Sequence, residues 1–218
     1  MFLVSKGYFS SRERAKQAIN GGEVFVNGRQ AKPSLKIVGD EEITLGNVLQ
    51  YVSRGALKLE KAKEVFNINF NDRIVLDIGS STGGFTEVAL LSGARKVISV
   101  DVGKNQLHDR LRKNEKVSVF EETDIRFIES NIIQEADLIV SDVSFISLRN
   151  IFPKIIEDFG TKVECVLLFK PQFECGKVIA TKFCGVIRDK KVHEELLSSF
   201  AEYLENLGFV ISGLDYSP

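Results

Sequence analysis

The 218-residue chain has few of the residues that build disulfide-stabilised or metal-binding proteins. Its three cysteines, Cys165, Cys175 and Cys184, are odd in number and lack Cys-x-x-Cys spacing, which argues against a disulfide framework and a zinc site. The two histidines, His108 and His193, have no ligand spacing, so we expect no metal. No apolar run reaches the roughly 18 residues that span a bilayer, and no apolar segment of the secretory type opens the chain. These absences predict a cytoplasmic protein that does not enter a membrane.

The composition is otherwise that of a folded globular protein, but its charges are unevenly distributed. Hydrophobic residues make up 44% and charged residues 27%, which suits one full domain and a small second one. Residues 1–63 carry 11 Lys and Arg against 6 Asp and Glu, whereas residues 64–218 carry 18 against 24. A basic front end on an acidic body favours contact with a polyanion, although charge by itself fits a solvated surface better.

Residues 1–46 carry the signals of a small α+β domain. Ser10 and Glu13 form a capping box, which predicts the start of a helix that runs through Ile19. Asn27-Gly28 is the strongest short signal for a hairpin turn, and it follows an alternating apolar strand. A further apolar strand past Ile43 and Leu45 closes the segment, so we expect a small α+β unit.

This segment resembles the S4 RNA-binding domain over residues 3 to about 46, on GYFSSRERAKQAINGGEVFVNG followed by KPSLKI. The resemblance implies that structured RNA binds to the helix and the hairpin. Phosphate contacts from Arg and Lys give affinity that falls steeply with salt. A small protein-interaction module is the alternative. The predicted RNA-binding residues are Arg12, Arg14, Lys16, Asn27 and Lys32, with Arg54 in the junction that follows.

The run IVLDIGSSTGGFT at residues 74–86 is the most informative in the chain. An apolar strand, a glycine-rich turn and a helix start together build a backbone cradle for a nucleotide-like ligand. The spacing Gly79-x-x-x-Gly83-Gly84 lacks the middle glycine of a dinucleotide fingerprint. Asp77 at the start of the turn would repel a phosphate and attract a cation. The run therefore favours S-adenosylmethionine (SAM) over NAD, with a ligand-free α/β turn as the alternative.

Beyond a short junction at residues 47–57, apolar strand runs alternate with helical stretches over residues 58–218. This alternation predicts a parallel α/β sheet. The predicted strands are 73–78, 96–101, 117–121, 136–143, 164–170 and 208–213, and the predicted helices are 56–66, 84–93, 104–113, 147–159 and 189–207.

Several polar residues follow these strands, where ligands of such folds bind. Asp101 is placed to accept both hydroxyls of a ribose, and Asp124 could accept from an adenine amine with Ile125 or Phe127 against the ring. Taken singly, each candidate fits an ordinary surface group. The predicted cofactor-binding residues are Asp77, Gly79, Ser80, Gly83, Gly84, Phe85, Asp101, Val102, Asp124, Ile125 and Asp142.

The large domain resembles FtsJ-like SAM-dependent methyltransferases of the ribose 2′-O class, which are Rossmann-like, and the whole chain resembles the hemolysin A / TlyA family. The motifs that carry this resemblance are YVSRGALKLEKA, VLDIGSSTGGFT, DLIVSDVSFIS and KPQFE. It implies a Lys-Asp-Lys-Glu catalytic tetrad whose first three members are Lys58, Asp142 and Lys170. Without the resemblance, Lys58 is more simply a surface lysine. The closing Glu and a seventh, antiparallel strand have no match, so we expect a truncated chain.

The resemblance further implies SAM as cofactor and ribosomal RNA or ribosomal subunits as partner, with cytidine as the usual target. Lys170 would act as base, Asp142 would orient its amine, and Lys58 would stabilise developing negative charge. No Pro-Cys nucleophile or Asn/Asp-Pro-Pro turn is present, which disfavours methylation at a base carbon or an exocyclic amine. The alternative is an RNA-binding ribosome assembly factor that keeps a vestigial SAM pocket without turnover.

Overall fold

A computed structural model describes residues 2–9, 12–20, 22, 24–37, 39, 41–45, 51–176, 187 and 189–218. The chain divides into two units, Met1–Gln50 and Tyr51–Pro218. The division falls inside the predicted junction of residues 47–57. Within the described ranges, none of the helices has the length and apolar character needed to cross a membrane.

The smaller unit packs two helices on a three-stranded antiparallel sheet of strand order β2-β1-β3. Asn27 and Gly28 have φ of 51° and 74°, the left-handed pair that a tight hairpin turn needs, so the predicted hairpin is confirmed. The predicted capping residue Ser10 and the side chain of Glu13 lie outside the described part of the chain. The elements are α1 (Phe2–Ser5), α2 (Arg12–Asn20), β1 (Val24–Val26), β2 (Arg29–Gln30) and β3 (Ile43–Leu45).

The larger unit is built on a five-stranded parallel sheet of order β6-β5-β4-β7-β8. Helices cover both of its faces, as a parallel sheet requires. The elements are α3 (Ala56–Phe66), β4 (Ile74–Ile78), α4 (Gly84–Leu91), β5 (Lys96–Val100), α5 (Asp109–Arg112), β6 (Val117–Phe120), α6 (Ser130–Ile133), β7 (Leu138–Ser141), α7 (Phe152–Phe159), β8 (Glu164–Leu167), α8 (Pro171–Glu174) and α9 (Lys190–Asn206).

Strand β4 is the centre of this unit because all five of its residues are buried. Ile74, Leu76 and Ile78 face the core formed with α7 and α9, whereas Val75 faces the core formed with α3 and α4. The chain runs from β4 outward to β6 and then returns to β7 on the other side. The order of strands therefore reverses beside β4, and ligands of such sheets bind at the carboxyl end of this reversal.

Strand 208–213 was predicted wrongly, because residues 209–218 are described without any strand. Gly208, with φ of 92°, ends α9, and the Phe209 N–H donates to the Leu204 carbonyl at 3.0 Å. This N–H is thus committed to the helix end. Among the described residues no strand pairs with this segment, and a lone strand leaves its backbone groups without partners.

Two predicted helices are shorter than expected. The helix predicted over 147–159 breaks at Ile151 into a 3₁₀ turn, Leu148–Asn150, followed by α7 with Pro153 in its first turn. Glu174 holds this 3₁₀ turn, since it accepts from the Leu148 N–H at 2.7 Å. The helix predicted over 104–113 is reduced to α5, and the residues before it form a loop.

Candidate active site

The glycine turn after β4 is shaped by the segments packed around it. Gly79 and Gly83 have φ of 81° and 96°, which side-chain-bearing residues rarely adopt. A Cβ on Gly79 would lie 3.0 Å from Val143 Cγ1, and one on Gly84 would lie 2.8 Å from the Ala56 backbone nitrogen. Glycine is therefore required here by close approach of the protein itself.

Lys58, Asp142 and Lys170 meet beside this turn. Asp142 Oδ2 lies 2.9 Å from Lys58 Nζ, and Asp142 Oδ1 lies 2.5 Å from Lys170 Nζ. Lys170 Nζ also donates to Ser144 Oγ at 2.8 Å. Lys58 comes from α3, Asp142 follows β7 and Lys170 follows β8. The three side chains are 31%, 18% and 16% exposed, so one carboxylate bridges two partly desolvated ammonium groups.

These residues line a cleft of about 320 Å³. Of the predicted cofactor-binding residues, Gly79, Ser80, Gly84, Phe85 and Asp142 lie on its wall. Sequence reasoning missed several others, although all of them stand within or next to the quoted motifs. The lining residues are Ser53, Gly55, Lys58, Gly79, Ser80, Ser81, Thr82, Gly84, Phe85, Asp142, Ser144 and Lys170.

Asp77 lies beneath the turn instead of on the cleft wall. Its side chain is 0% exposed, and Oδ2 accepts from Thr86 Oγ1 at 2.6 Å. Oδ1 is buried without a hydrogen-bond partner among the described residues. Burial raises the pKa of Asp77 to about 7, against the opposing effect of its hydrogen bonds from Thr86. Asp77 therefore does not line the cleft, and the attraction that we expected between this carboxyl and a cation would have to act across the glycine turn.

Asp101 is tied to the glycine turn. Its Oδ2 accepts from the Ser81 N–H at 2.8 Å, and its Oδ1 accepts from the Gly103 N–H at 2.7 Å. Each carboxylate oxygen keeps a further lone pair, so a ribose hydroxyl could still be accepted. Asp101 and the 71%-exposed Val102 lie at the carboxyl end of β5, outside the lining of the cleft.

The three residues that were predicted to surround adenine differ in their contacts and in their exposure. Asp124 is paired with Arg126 at 2.6 Å, and the hydrogen bond from this guanidinium lowers the pKa of Asp124. Ile125 is 5% exposed and belongs to the core, whereas Phe127 is 80% exposed. Phe127, and not Ile125, is thus accessible for contact with a ring.

An aromatic pair that sequence reasoning missed stands next to Lys170. Phe145 is 92% exposed, and its ring centroid lies 5.3 Å from that of Phe173. Its φ of 66° is unusual for a bulky residue. Lys170 Nζ lies 5.9 Å from the Phe173 centroid. An exposed phenyl ring that packs on a half-buried one beside a polar cleft is suited to stacking with a planar group.

The predicted RNA-binding residues are on the surface wherever the structure describes them. Arg12, Lys16, Asn27 and Lys32 are exposed in the smaller unit, and Arg54 is exposed in the larger one. The side chain of Arg14 lies outside the described part of the chain. A groove of about 710 Å³ in the smaller unit adds two basic residues that the prediction omitted. Its basic and amide-bearing lining residues are Asn27, Arg29, Gln30, Lys32 and Lys36.

Comparison with known proteins identifies the class first. Residues 51–218 match the family model of FtsJ-like methyltransferases, and residues 1–43 match that of the S4 domain. The chain therefore belongs to the FtsJ-like methyltransferase family and carries an S4 domain in addition, which confirms the predicted fold class and family.

Individual relatives match this chain over nearly its whole length. Hemolysin A of Brachyspira hyodysenteriae is 39% identical over 95% of this chain and 88% of its own length. The 23S rRNA (cytidine-2′-O)-methyltransferase TlyA of Campylobacter jejuni is 38% identical over 99% of this chain and 91% of its own length. A solved structure from Streptococcus thermophilus, 40% identical, superposes with a TM-score of 0.73 over 99% of this chain and 80% of the other.

Proposed function

We propose that this protein is a SAM-dependent methyltransferase that methylates ribose 2′-hydroxyls of ribosomal RNA, with cytidine as the target nucleoside. The observation that carries the proposal is the Asp142 carboxylate bound between Lys58 and Lys170 at the glycine turn. The name of the Campylobacter relative supports the substrate and the position of the methyl group. From a ribosomal substrate we infer that the protein works in the cytoplasm.

The cleft has features that fit SAM. Gly79 and Gly55 present backbone without a side chain, and Ser81 and Thr82 add hydroxyl groups to its wall. Asp101 stands at the end of the neighbouring strand with lone pairs free for ribose hydroxyls. Asp142 lies on the wall of the same cleft. When bound, SAM would supply an electrophilic methyl group on a positively charged sulfur.

The three clustered residues would prepare the ribose oxygen. Ser144 Oγ and the Asp142 carbonyl accept from Lys170 Nζ at 2.8 Å and 3.4 Å and so orient its amine, while Asp142 Oδ1 pairs with it at 2.5 Å. In its neutral form, the Lys170 amine would act as general base and accept the proton of the 2′-hydroxyl. Lys58, which donates to Asp142 Oδ2 at 2.9 Å, would stabilise the negative charge that develops on the ribose oxygen.

The exposed ring of Phe145, packed against the half-buried Phe173, would receive the base of the target nucleotide. Enzymes that act on a nucleotide within folded RNA bring it out of its stack and commonly hold the base against aromatic side chains. The pair adjoins Lys170, which places a stacked nucleoside close to the proposed base. Basic residues of the S4 domain would bind phosphates and add affinity without reading sequence.

The test compares Lys170→Ala with Lys162→Ala. Both remove a lysine next to β8, but Lys162 is exposed and precedes the strand, away from the cleft. Methyl transfer from labelled SAM to ribosomal RNA is measured, and the product is treated with alkali, which cannot cleave next to a 2′-O-methyl ribose. We expect Lys170→Ala to lose about 10²- to 10⁴-fold in kcat, the usual contribution of a positioned base, with Lys162→Ala unchanged.

If Lys170→Ala transfers methyl groups as fast as the wild type, the proposed active site is wrong. Alkali-labile methylated product would show that a base, and not a ribose, is modified. SAM binding by the wild-type protein together with RNA binding, but with no transfer to any ribosomal particle, would instead indicate a non-catalytic assembly factor.

A further inference from the structure

The loop of residues 101–108, between β5 and α5, is held by one acidic side chain. Glu121 Oε2 accepts from the Asn105 N–H at 2.8 Å, and Oε1 accepts from the N–H groups of Gln106 at 2.7 Å and Leu107 at 2.9 Å. Consecutive backbone N–H groups that converge in this way form an anion-binding nest. In this protein its own carboxylate fills the nest, and this is why the helix predicted over 104–113 starts only at Asp109.

Glu121 remains charged under all ordinary conditions. Its side chain is 13% exposed, and Arg112 Nη2 lies 2.7 Å from Oε1. Burial opposes ionisation, but the hydrogen bonds from Arg112 and from the three backbone N–H groups outweigh it and lower the pKa of Glu121 to about 2. The nest therefore keeps its anion at any pH at which the protein would work.

The loop that Glu121 holds forms the outer wall of the glycine turn. Leu107 is 3% exposed and packs on Gly83, where a Cβ would lie 2.7 Å from Leu107 Cδ1. Next along the chain, the His108 N–H donates to the Thr82 carbonyl at 3.2 Å. Thr82 lines the cleft.

The first residue of the same loop, Asp101, also contacts the glycine turn. Asp101 accepts from the Ser81 N–H at 2.8 Å and from the Gly103 N–H at 2.7 Å. The turn thus contacts the loop both before and after the three residues that Glu121 holds. A change in the path of residues 105–107 would move Leu107 away from Gly83 and would loosen both contacts.

We propose that Glu121, which itself lies off the cleft, is a positioning residue for the cofactor-binding turn. It fixes residues 105–107 so that Leu107 and Asp101 hold the glycine turn in the shape that accepts SAM. This inference rests on the proposed function, because it takes the turn to be the SAM site. It predicts that Glu121 governs SAM affinity and leaves the chemical step and RNA binding alone.

Glu122 offers a matched control in the neighbouring position. It is 62% exposed and pairs with Lys104 of the same loop at 3.2 Å. Glu122→Gln therefore removes the same charge from the same segment but breaks only a surface ion pair, which contributes little. Glu121→Gln replaces one acceptor oxygen by an amide donor that faces Arg112 and the N–H groups of the nest.

The experiment uses the full-length variants and three measurements: SAM binding by calorimetry without RNA, steady-state methyl transfer, and hydrogen exchange of the free proteins. For Glu121→Gln we expect the SAM Kd and the KM for SAM to rise by about 10- to 100-fold. We expect kcat at saturating SAM and the KM for RNA to stay within about twofold, and the amides of residues 82–84 and 105–107 to exchange faster. Glu122→Gln should match the wild type in every measurement.

A merely structural role would lower thermal stability and the fraction of active protein with no change in SAM Kd, and that result would overturn the inference. If Glu121→Gln does not fold, Arg112→Gln serves instead. We expect a rise of about 2- to 5-fold in SAM Kd, because Glu121 loses one of its four hydrogen-bond donors. An unchanged Kd in this variant would equally overturn the inference. Absence of SAM binding by the wild type would refute the proposed function, and the inference with it. Normal wild-type binding with unchanged binding by the variant would refute the inference alone.

Discussion

Asp77 should make the protein less stable as the pH rises from about 4 to 7. The folded chain raises the pKa of this carboxyl from 3.8 to about 7, chiefly because the group is buried. Between these two values the unfolded chain has released a proton that the folded chain retains. The unfolded state therefore binds fewer protons, and the free energy of unfolding falls with increasing pH. Above pH 7 both states are ionised and the effect levels off.

The size of the effect follows from the same two values. They are separated by roughly three pH units, and each unit corresponds to about 1.4 kcal/mol, so the total is roughly 4 kcal/mol. The full desolvation of Asp77 supports a large value, since its Oδ1 has no hydrogen-bond partner among the described residues. The steepest loss is expected between pH 5 and 7.

The assay compares the wild type with Asp77→Asn by urea denaturation at several pH values between 5 and 8, followed by circular dichroism because the chain has no tryptophan. The asparagine keeps an acceptor for Thr86 but cannot ionise, so the difference between the two proteins isolates the titration of Asp77. We expect this difference to shift in favour of the variant by a few kcal/mol from pH 5 to 8. Asp72→Asn, at a position 76% exposed, is the control. A difference that is the same at every pH would refute the reasoning.

Two further predictions concern packing and RNA binding. Gly84→Ala places a Cβ 2.8 Å from the Ala56 backbone nitrogen, so it should cost about 1–3 kcal/mol of stability and weaken SAM binding. Gly39→Ala, where a Cβ meets nothing within 4 Å, should change neither property. Equal stabilities of the two variants in thermal melts would contradict this prediction. Lys16→Ala should reduce the magnitude of the slope of log affinity for ribosomal RNA against log salt concentration by about 1. Lys116→Ala, at an exposed position on the larger unit, should leave this slope unchanged. An unchanged slope for Lys16→Ala would count against RNA binding at α2.

The parts of the fold that the sequence predicts well are those encoded locally. Asn27-Gly28 predicts its hairpin because few other residue pairs adopt two left-handed conformations in succession. The run before Gly79 predicts a buried strand because four of its five residues are β-branched or aliphatic. The meeting of Asp142 and Lys170 could be anticipated as well, because parallel strands end at one edge of the sheet.

The parts that escaped prediction depend on contacts between distant residues. Residues 104–107 have the composition of a helix, but Glu121, which follows β6, binds the N–H groups of residues 105–107, and no local pattern reveals this. Asp77 was expected to face a ligand, but it lies on the side of β4 that Thr86 covers. The exposure of Phe145 was also missed, because it depends on the path of the loop that follows β7.

The cluster of Lys58, Asp142 and Lys170 also bears on how the chain reaches its native state. Lys58 and Asp142 are 84 residues apart in sequence, and Asp142 and Lys170 are 28 apart. Contacts between distant residues require the closure of large loops and tend to form late during folding. Recovery of catalytic turnover after dilution from denaturant should consequently lag behind recovery of helical signal, which makes turnover a stringent reporter of complete assembly of the larger unit.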